Sequence, residues 1–270
     1  MATSVPARAG VSLPCPISPS QFFRGAFNRR SCGSNDDEDR VKAFLLAAGH
    51  GTRLRPLTDR IPKCLVPIRG VSMLAIWFEV CRRAGIDQIL INLHAHVDSV
   101  RRALPQWSHG LRVQVAEEPV LLGSAGTLVA NRDWVTNEPC FWVLYADVLT
   151  NVNLTKMLAF HRQTSPQATL GLYQVRDPSR CGIVRFDESF TIREFVEKPA
   201  QPRSNWAFSG VMLASPGLLE PILPTFPLDL GFHVLPRLVG QIKGYPVSEY
   251  LLDIGTMENY QAAQHTWPGL

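Results

Sequence analysis

From residue 41 onward, the pattern of apolar and polar positions alternates between the period of a strand and that of a helix. An almost continuous apolar run at 41–48 ends at Gly49, which is typical of a strand buried on both faces of a parallel sheet. The next apolar residues have the i, i+3, i+4, i+7 spacing of a core-facing helix: Leu74, Trp77, Phe78 and Cys81. The same criteria predict further helices at 97–104 and 154–161, and further strands at 88–93, 111–116, 141–146, 168–175, 183–186 and 192–196.

This alternation predicts the α/β class, with a mostly parallel sheet between layers of helices. The predicted strands after residue 168 follow one another more closely, so we expect a small antiparallel addition there. In open α/β sheets, ligands bind beyond the carboxyl ends of the strands. Residues that directly follow the predicted strands are therefore the first candidates for a functional site.

The positive charge of the chain is concentrated in its first residues. The formal net charge is +4. Residues 1–35 contain no acid and no lysine, and their four arginines account for the whole excess: Arg8, Arg24, Arg29 and Arg30. The rest of the chain is formally neutral, which argues against a nucleic-acid-binding surface and against a nucleic-acid partner.

Residues 1–40 also differ from the rest in composition, being rich in Ser, Pro, Ala and Arg and lacking a periodic apolar pattern. We interpret them as a disordered tail, an over-extended start or an organelle transit peptide, and 41–270 as the catalytic domain. No apolar run reaches the ~18 residues of a membrane-spanning helix, so no membrane partner is expected. The six cysteines contain no C-x-x-C pair and are interpreted as free thiols. We expect a cytoplasmic protein, or an organellar one if the leader directs it.

A loop with two glycines and several arginines follows the first predicted strand. Gly49 and Gly51 permit a tight turn whose N–H groups face a phosphate, and Arg53 and Lys63 add cations nearby. A P-loop would require Gly-Lys-Ser/Thr after the second glycine, where this chain has Thr-Arg-Leu. A dinucleotide-binding loop would require a third glycine at the position of Leu54. The loop is therefore neither of these types.

Motifs that carry chemistry occur in one order over roughly residues 42–264: Leu46-Ala47-Ala48-Gly49-His50-Gly51-Thr52-Arg53-Leu54-Arg55-Pro56-Leu57-Thr58, Ile61-Pro62-Lys63-Cys64-Leu65-Val66-Pro67, Glu118-Pro119, Gly123-Ser124-Ala125-Gly126-Thr127, Ala146-Asp147, Phe195-Val196-Glu197-Lys198-Pro199, Ser209-Gly210-Val211 and Asp253-Ile254-Gly255-Thr256. This series resembles the sugar-phosphate nucleotidylyltransferases, which are also called NDP-sugar pyrophosphorylases. The resemblance implies a Rossmann-like, mostly parallel sheet sandwiched by helices, with a small antiparallel sugar-binding addition. It also implies that a sugar 1-phosphate attacks the α-phosphorus of an NTP to give an NDP-sugar and pyrophosphate.

The resemblance further implies roles for individual residues. Arg53 and Lys63 would be the catalytic cations, and Asp147 and Asp253 would hold Mg²⁺ as the cofactor. The residues expected to bind the sugar phosphate are Glu197, Lys198, Ser209 and Gly210. The residues expected to bind the nucleotide are Leu46, Ala48, Gly49, Gly51, Thr52, Arg53, Lys63, Glu118, Gly123, Ser124, Ala125 and Gly126.

The nucleobase and the sugar are less closely specified than the reaction. The loop at 123–126 is similar to the Gly-Thr-Ala-Gly of guanylyltransferases, which favours GTP with mannose 1-phosphate or heptose 1-phosphate. Phe208 stands where the family usually has Asn, so a polar contact to the sugar is missing or supplied elsewhere. The alternatives are uridylyl, thymidylyl or cytidylyl transfer to another sugar 1-phosphate, and a catalytically silent regulatory subunit that binds nucleotide sugar. We expect a monomer or a homodimer.

Overall fold

The computed structural model describes residues 41–270, and the predicted leader at 1–40 lies outside the described residues. The strands are β1 (Ala43–Leu46), β2 (Pro67–Ile68), β3 (Val71–Ser72), β4 (Gln88–Leu93), β5 (Arg112–Glu117), β6 (Phe141–Tyr145), β7 (Val148–Thr150), β8 (Ala168–Gln174), β9 (Gly182–Phe186), β10 (Ile192–Glu197), β11 (Trp206–Ala214), β12 (Ile242–Pro246) and β13 (Leu251–Asp253). The α-helices are α1 (Met73–Arg83), α2 (Val97–Trp107), α3 (Ser124–Ala130), α4 (Leu154–Thr164) and α5 (Met257–Thr266).

A central sheet in the order β12-β8-β11-β6-β1-β4-β5 organises the described part of the chain. All of its strands run parallel to β1 except β11, which is antiparallel to both of its neighbours β6 and β8. The hairpin of β9 and β10 extends the sheet by antiparallel pairing with β11. The predicted α/β fold, with a mostly parallel sheet and a small antiparallel addition, is confirmed.

The burial of β1 explains why its sequence is apolar at every position. Ala43 and Leu45 belong to one core cluster, while Phe44 belongs to another, so the strand is covered on both faces. Helices α1, α2, α4 and α5 contribute to the first cluster, and α3 packs in the second with residues 230–238. This arrangement gives three layers, with helices on both sides of the sheet.

The connections around β1 create the place where a site is expected. From β1 the chain moves to β4 and β5 on one side and then returns to form β6 on the other side of β1. The crevice at the carboxyl ends of β1 and β6 is therefore a topological switch point, the usual ligand-binding place of open α/β sheets. Strands β7 and β13 form a small separate sheet, and only two residues separate β7 from the end of β6.

Several elements differ from the sequence-based expectation, and for α2 and β11 the physical reason is clear. Helix α2 was expected to end before Pro105, but it continues to Trp107, since a proline in the last turn removes only one backbone donor and Ser108 still donates to the Leu104 carbonyl at 2.9 Å. The apolar pattern does not predict β11, because Ser209 and Gly210 interrupt it where the pairing register shifts between Phe208 and Met212.

Other predictions concern membranes and cysteines. No helix between residues 41 and 270 is long and apolar enough to cross a membrane. The cysteines in this part of the chain are free thiols, as predicted: Cys64, Cys81, Cys140 and Cys181. Burial raises the pKa of Cys64 and of Cys81 to about 12, so both are unreactive core residues. Cys15 and Cys32 lie outside the described residues.

Candidate active site

Two adjoining pockets open at the switch point. The first, here called the β1 pocket, has a volume of about 480 Å³ and is lined by ten of the predicted nucleotide-binding residues: Leu46, Ala48, Gly49, Gly51, Thr52, Arg53, Lys63, Glu118, Gly123 and Ser124. The second, the β11 pocket, has a volume of about 580 Å³ and is lined by the four predicted sugar-binding residues and both predicted metal ligands: Glu197, Lys198, Ser209, Gly210, Asp147 and Asp253. Arg53, Tyr145 and Asp147 line both pockets and mark their junction.

The two candidate metal ligands meet because β7 and β13 pair. Asp253 is the last residue of β13 and is paired with Val148, the residue after Asp147. The Ile254 N–H donates to the Asp147 carbonyl at 3.0 Å, which ties the two segments together. Two acids from distant parts of the sequence are thus brought to the same corner of the junction.

Cations surround these acids. Lys63 Nζ lies 2.5 Å from Asp147 Oδ2, and the lysine side chain is only 10% exposed. Gly255 N–H donates to Asp253 Oδ1 at 2.6 Å. A Cβ atom at Gly255 would lie 2.7 Å from Asp253 Oδ1, 2.9 Å from Arg53 Nη2 and 3.1 Å from Lys63 Nζ. Both predicted catalytic cations and Asp253 therefore converge on one backbone position.

The electrostatic environment of Asp253 reflects this crowding. Burial and the neighbouring Asp147 carboxylate raise its pKa, while Lys63, the Gly255 N–H and Arg53 oppose the increase. Two carboxylates that repel each other in a half-buried corner gain from a bound cation.

The loop after β1 delivers Arg53 to this corner. Gly51 adopts a left-handed conformation with φ 63°, and residues Thr52–Leu54 then form a short 3₁₀ turn. The Thr58 hydroxyl donates to the Gly51 carbonyl at 2.7 Å and closes the loop on itself. The predicted tight turn between β1 and Arg53 is present.

Glu118 has a supporting position at the floor of the β1 pocket. Its Oε1 accepts hydrogen bonds from Asn92 Nδ2 at 2.8 Å and from Thr127 Oγ1 at 2.5 Å, and its Oε2 accepts from the Leu122 N–H at 3.1 Å. Asn92 Oδ1 in turn accepts from the Ala47 N–H at 2.7 Å. Because protein donors engage both of its carboxylate oxygens, Glu118 joins the ends of β1 and β4 to the loop that precedes α3.

The Gly123–Gly126 loop is shaped by a segment far along the chain. Gly123 has φ 82°, and a side chain there would collide with the Leu228 carbonyl. That carbonyl accepts hydrogen bonds from the N–H groups of Ala125 at 3.0 Å and Gly126 at 3.1 Å. Ala125 and Gly126 are buried and do not line the pocket, so Gly123 and Ser124 form its surface.

Glu197 is the acid among the predicted sugar-binding residues that line the β11 pocket. Its carboxylate packs between Gly182 and Gly231, where a Cβ atom on either glycine would collide with Oε2. Burial raises its pKa, and Asp229 raises it further, while Lys198 lowers it. The Glu197 side chain therefore has little room to move, and it feels the charge of a second acid of the same pocket, Asp229.

Lys198 and Ser209 complete the predicted sugar-binding set. Lys198 is held in a left-handed conformation with φ 49°, and its Nζ lies 5.5 Å from the centre of the Phe232 ring. The Ser209 side chain is buried and accepts a hydrogen bond from the Val211 N–H at 3.2 Å. Ser209 lines the pocket at the bulge of β11.

Several residues that line the pockets were not predicted from the sequence, among them Tyr145, Tyr173 and Asp229. Burial raises the pKa of Tyr145 far above its usual range, while the Ser124 side chain opposes the increase. Asp229 was detectable as an isolated acid in the apolar and proline-rich stretch 221–230. Tyr145 offered a weaker signal, a polar hydroxyl at the end of an otherwise apolar strand.

The chain was compared with known proteins. A family model described as Nucleotidyl transferase matches residues 42–267. Mannose-1-phosphate guanylyltransferase catalytic subunit beta of Xenopus tropicalis is 30% identical over 226 residues, which cover 82% of this chain and 62% of that protein. Mannose-1-phosphate guanyltransferase of Schizosaccharomyces pombe is 30% identical over 229 residues, with the same coverage. The chain thus spans about three fifths of the length of these relatives.

A solved structure shares the fold. The crystal structure of HddC from Yersinia pseudotuberculosis complexed with GMP-PN superposes with a TM-score of 0.72 at 24% identity. The superposition covers 84% of this chain and 99% of that one. The fold of this chain is therefore shared with a protein that has been crystallised with GMP-PN.

Proposed function

The chain belongs to the nucleotidyl transferase family, and from this premise we propose that it transfers a guanylyl group from GTP to a hexose or heptose 1-phosphate, such as mannose 1-phosphate. The observation that carries the proposal is the pair of adjoining pockets, which share Arg53 and Asp147 at their junction. Two anionic substrates bound side by side would present their reacting phosphates to that junction. The junction holds cations and carboxylates, and that is the composition that phosphate transfer requires.

The proposed reaction is an in-line displacement. A phosphate oxygen of the sugar 1-phosphate bonds to the α-phosphorus of GTP as the bond between that phosphorus and the oxygen bridging to the β-phosphate breaks. Pyrophosphate leaves, and the product is a GDP-sugar. Arg53 and Lys63 neutralise charge on the phosphates and hold them in line, which needs no covalent intermediate on the protein.

The residues at the junction fit Mg²⁺, the cofactor we propose. Lys63 occupies one oxygen of Asp147, and the Gly255 N–H occupies one oxygen of Asp253. Among the described residues, no donor reaches Asp147 Oδ1 or Asp253 Oδ2. Two carboxylates with free oxygens beside phosphate-binding cations are the donor set that Mg²⁺ uses. When bound, the ion would neutralise charge on the α-phosphate and the sugar phosphate.

GTP is favoured over other nucleotides by two lines of support. The relatives named above are guanylyltransferases, and HddC has been crystallised with GMP-PN. The surface that Gly123 and Ser124 form in the β1 pocket is where the resemblance locates the nucleobase. Mannose 1-phosphate is the acceptor named in both relatives, and the β11 pocket would receive its hydroxyls on Glu197.

Pyrophosphate release tests the proposal. The full chain is incubated with Mg²⁺, each of the five common NTPs and a panel of sugar 1-phosphates. We expect release with GTP and a hexose or heptose 1-phosphate, and at least a ~100-fold lower kcat/KM for Asp147→Asn, because an essential charge at the reacting phosphates is removed. Asp98→Asn, which alters an exposed acid on α2 outside both pockets, is the matched control.

No pyrophosphate from any pair would contradict the enzymatic proposal. Release with UTP or dTTP in preference to GTP would contradict the nucleobase assignment alone. Full activity of Asp147→Asn would contradict the assignment of the metal site.

A further inference from the structure

We propose that Ser124 and Asp229 are positioning residues that link the two pockets, so that nucleotide in the β1 pocket tightens the binding of sugar 1-phosphate in the β11 pocket. The inference rests on the proposed function. It concerns how the two substrates influence each other, which the pockets alone do not specify.

A direct hydrogen bond crosses the wall between the pockets. Ser124 lines the β1 pocket and Asp229 lines the β11 pocket. The Ser124 hydroxyl donates to Asp229 Oδ2 at 3.0 Å and accepts from the Leu230 N–H at 2.8 Å. One side chain on the nucleobase surface is therefore bonded to both the side chain and the backbone of the opposite wall.

The segment 228–234, here called the linking segment, is fastened to the loop at 123–126 at a second place. The Leu228 carbonyl accepts from the N–H groups of Ala125 and Gly126, and the Leu228 N–H donates to the Leu122 carbonyl at 2.8 Å. Gly123 leaves no space between loop and segment, because any side chain there would collide with Leu228. A shift of the loop must therefore be followed by the linking segment.

The other end of the linking segment touches the predicted sugar-binding residues. Asp229 Oδ1 accepts hydrogen bonds from the N–H groups of Gly231 at 2.8 Å and Phe232 at 3.1 Å. Gly231 lies directly against the Glu197 carboxylate, and the Phe232 ring lies 5.5 Å from Lys198 Nζ. Asp229 thus sets the position of two residues that border Glu197 and Lys198.

These contacts give the coupling a physical cause. A base seated against Ser124 orders the loop and, through Asp229, the linking segment. A sugar 1-phosphate that binds afterwards meets a wall that is already ordered, so less conformational entropy is lost in its binding step. By linkage, the sugar 1-phosphate must tighten nucleotide binding by the same factor.

Titration calorimetry on the full chain tests the coupling. Mannose 1-phosphate is titrated with and without GTP whose α,β-bridging oxygen is replaced by a methylene group, in the presence of Mg²⁺. We expect the analogue to lower the Kd of the sugar phosphate at least about 5-fold, and the reciprocal titration to give the same factor. For Ser124→Ala and Asp229→Ala, which remove the hydrogen bond between the two residues, we expect the factor to fall below about 2.

The choice of variants distinguishes a loss of coupling between the two pockets from a loss of folding stability. Asp229→Asn is the conservative variant: it keeps an oxygen for the N–H groups of Gly231 and Phe232, and its amide N–H can donate to the Ser124 hydroxyl oxygen. We therefore expect Asp229→Asn to keep most of the wild-type factor. Ser99→Ala is the matched control, because Ser99 lies on α2 outside both pockets and its hydroxyl only accepts a 3.5 Å contact from Arg102. It should retain the wild-type factor.

A purely structural role would lower melting temperature or the single affinities of the variants without changing the coupling factor. That result, or a wild-type factor of one, would overturn the inference while the wild-type chain still releases pyrophosphate. If the wild-type chain neither bound the two probes nor released pyrophosphate, the proposed function would be wrong and the inference would fall with it.

Discussion

Gly255 occupies the position where the charged groups of both pockets come closest. A methyl group there would lie within about 3 Å of Asp253, Arg53 and Lys63, so at least one of them must move. For Gly255→Ala we expect kcat to fall about 100-fold, because a displacement near 1 Å of aligned groups costs a factor of this size. Steady-state pyrophosphate release and a thermal melt measure the effect on activity and on stability.

The control for this substitution is Gly217→Ala, since a Cβ atom there would meet nothing within 4 Å. We expect its kcat and its melting temperature to match those of the wild type. A Gly255→Ala variant with unchanged kcat would mean that the convergence of these three side chains is not needed for the reaction.

Helix α4 is fixed to the sheet by a buried histidine. His161 Nδ1 lies 2.8 Å from the Thr169 hydroxyl on β8, and the side chain is 5% exposed. Burial, with a smaller contribution from Arg162, lowers its pKa from 6.5 to about 4. Between these pH values the unfolded chain binds a proton that the folded chain does not bind. The stability contributed by neutral His161 is thus complete above pH 6.5 and is lost as the pH falls towards 4.

Urea unfolding between pH 7 and pH 4.5 measures this effect. We expect His161 to account for a loss of about 3 kcal/mol when the titration is complete, and His161→Gln to show a correspondingly weaker pH dependence. His265→Gln, at an exposed position near the end of α5, should keep the wild-type dependence. Equal pH dependence in all three proteins would contradict this account of how α4 is held.

The strands that sequence predicts best are those buried on both faces. The bounds predicted for β4 coincide with those observed, because its residues are almost all apolar and the run is clearly delimited. β11 is not predicted, although it lies between β6 and β8, since Ser209 and Gly210 break its pattern at the bulge that shapes the pocket. The pattern of apolar and polar residues predicts buried strands well. It does not predict a strand such as β11, whose pairing is distorted at a functional site.

The candidate site residues also fall into two groups, those that the sequence predicts and those that it does not. Arg53, Lys63 and the two acids were predicted from motifs, and the structure brings them to one junction. Asp229 was not predicted, because its importance comes from a hydrogen bond with Ser124, which is distant in sequence. Hydrogen bonds between such distant segments depend on the tertiary fold, which no single-sequence pattern encodes.

The charge of the whole molecule is a poor guide to its substrates. Residues 1–35 carry the entire net charge of +4, so the rest of the chain is formally neutral. The residues that line the two pockets nevertheless include several cations: Arg53, Lys63, Arg180 and Lys198. Anion binding is therefore explained by the placement of a few side chains and does not need a basic surface.

We propose that residues 41–270 form the catalytic domain and that deleting residues 1–40 leaves kcat and both KM values within about twofold at 0.15 M salt. At 0.15 M salt, charges are screened beyond ~8 Å, so we expect the four arginines of residues 1–35 to add little to substrate binding. At 0.01 M salt the screening length grows to ~30 Å, so any contribution of these arginines to substrate capture should appear there as a lower kcat/KM of the truncated chain. Pyrophosphate release by both chains at the two salt concentrations decides the matter. A tenfold loss that persists at 0.15 M salt could not be electrostatic steering, and it would mean that the first 40 residues contribute directly to the active site.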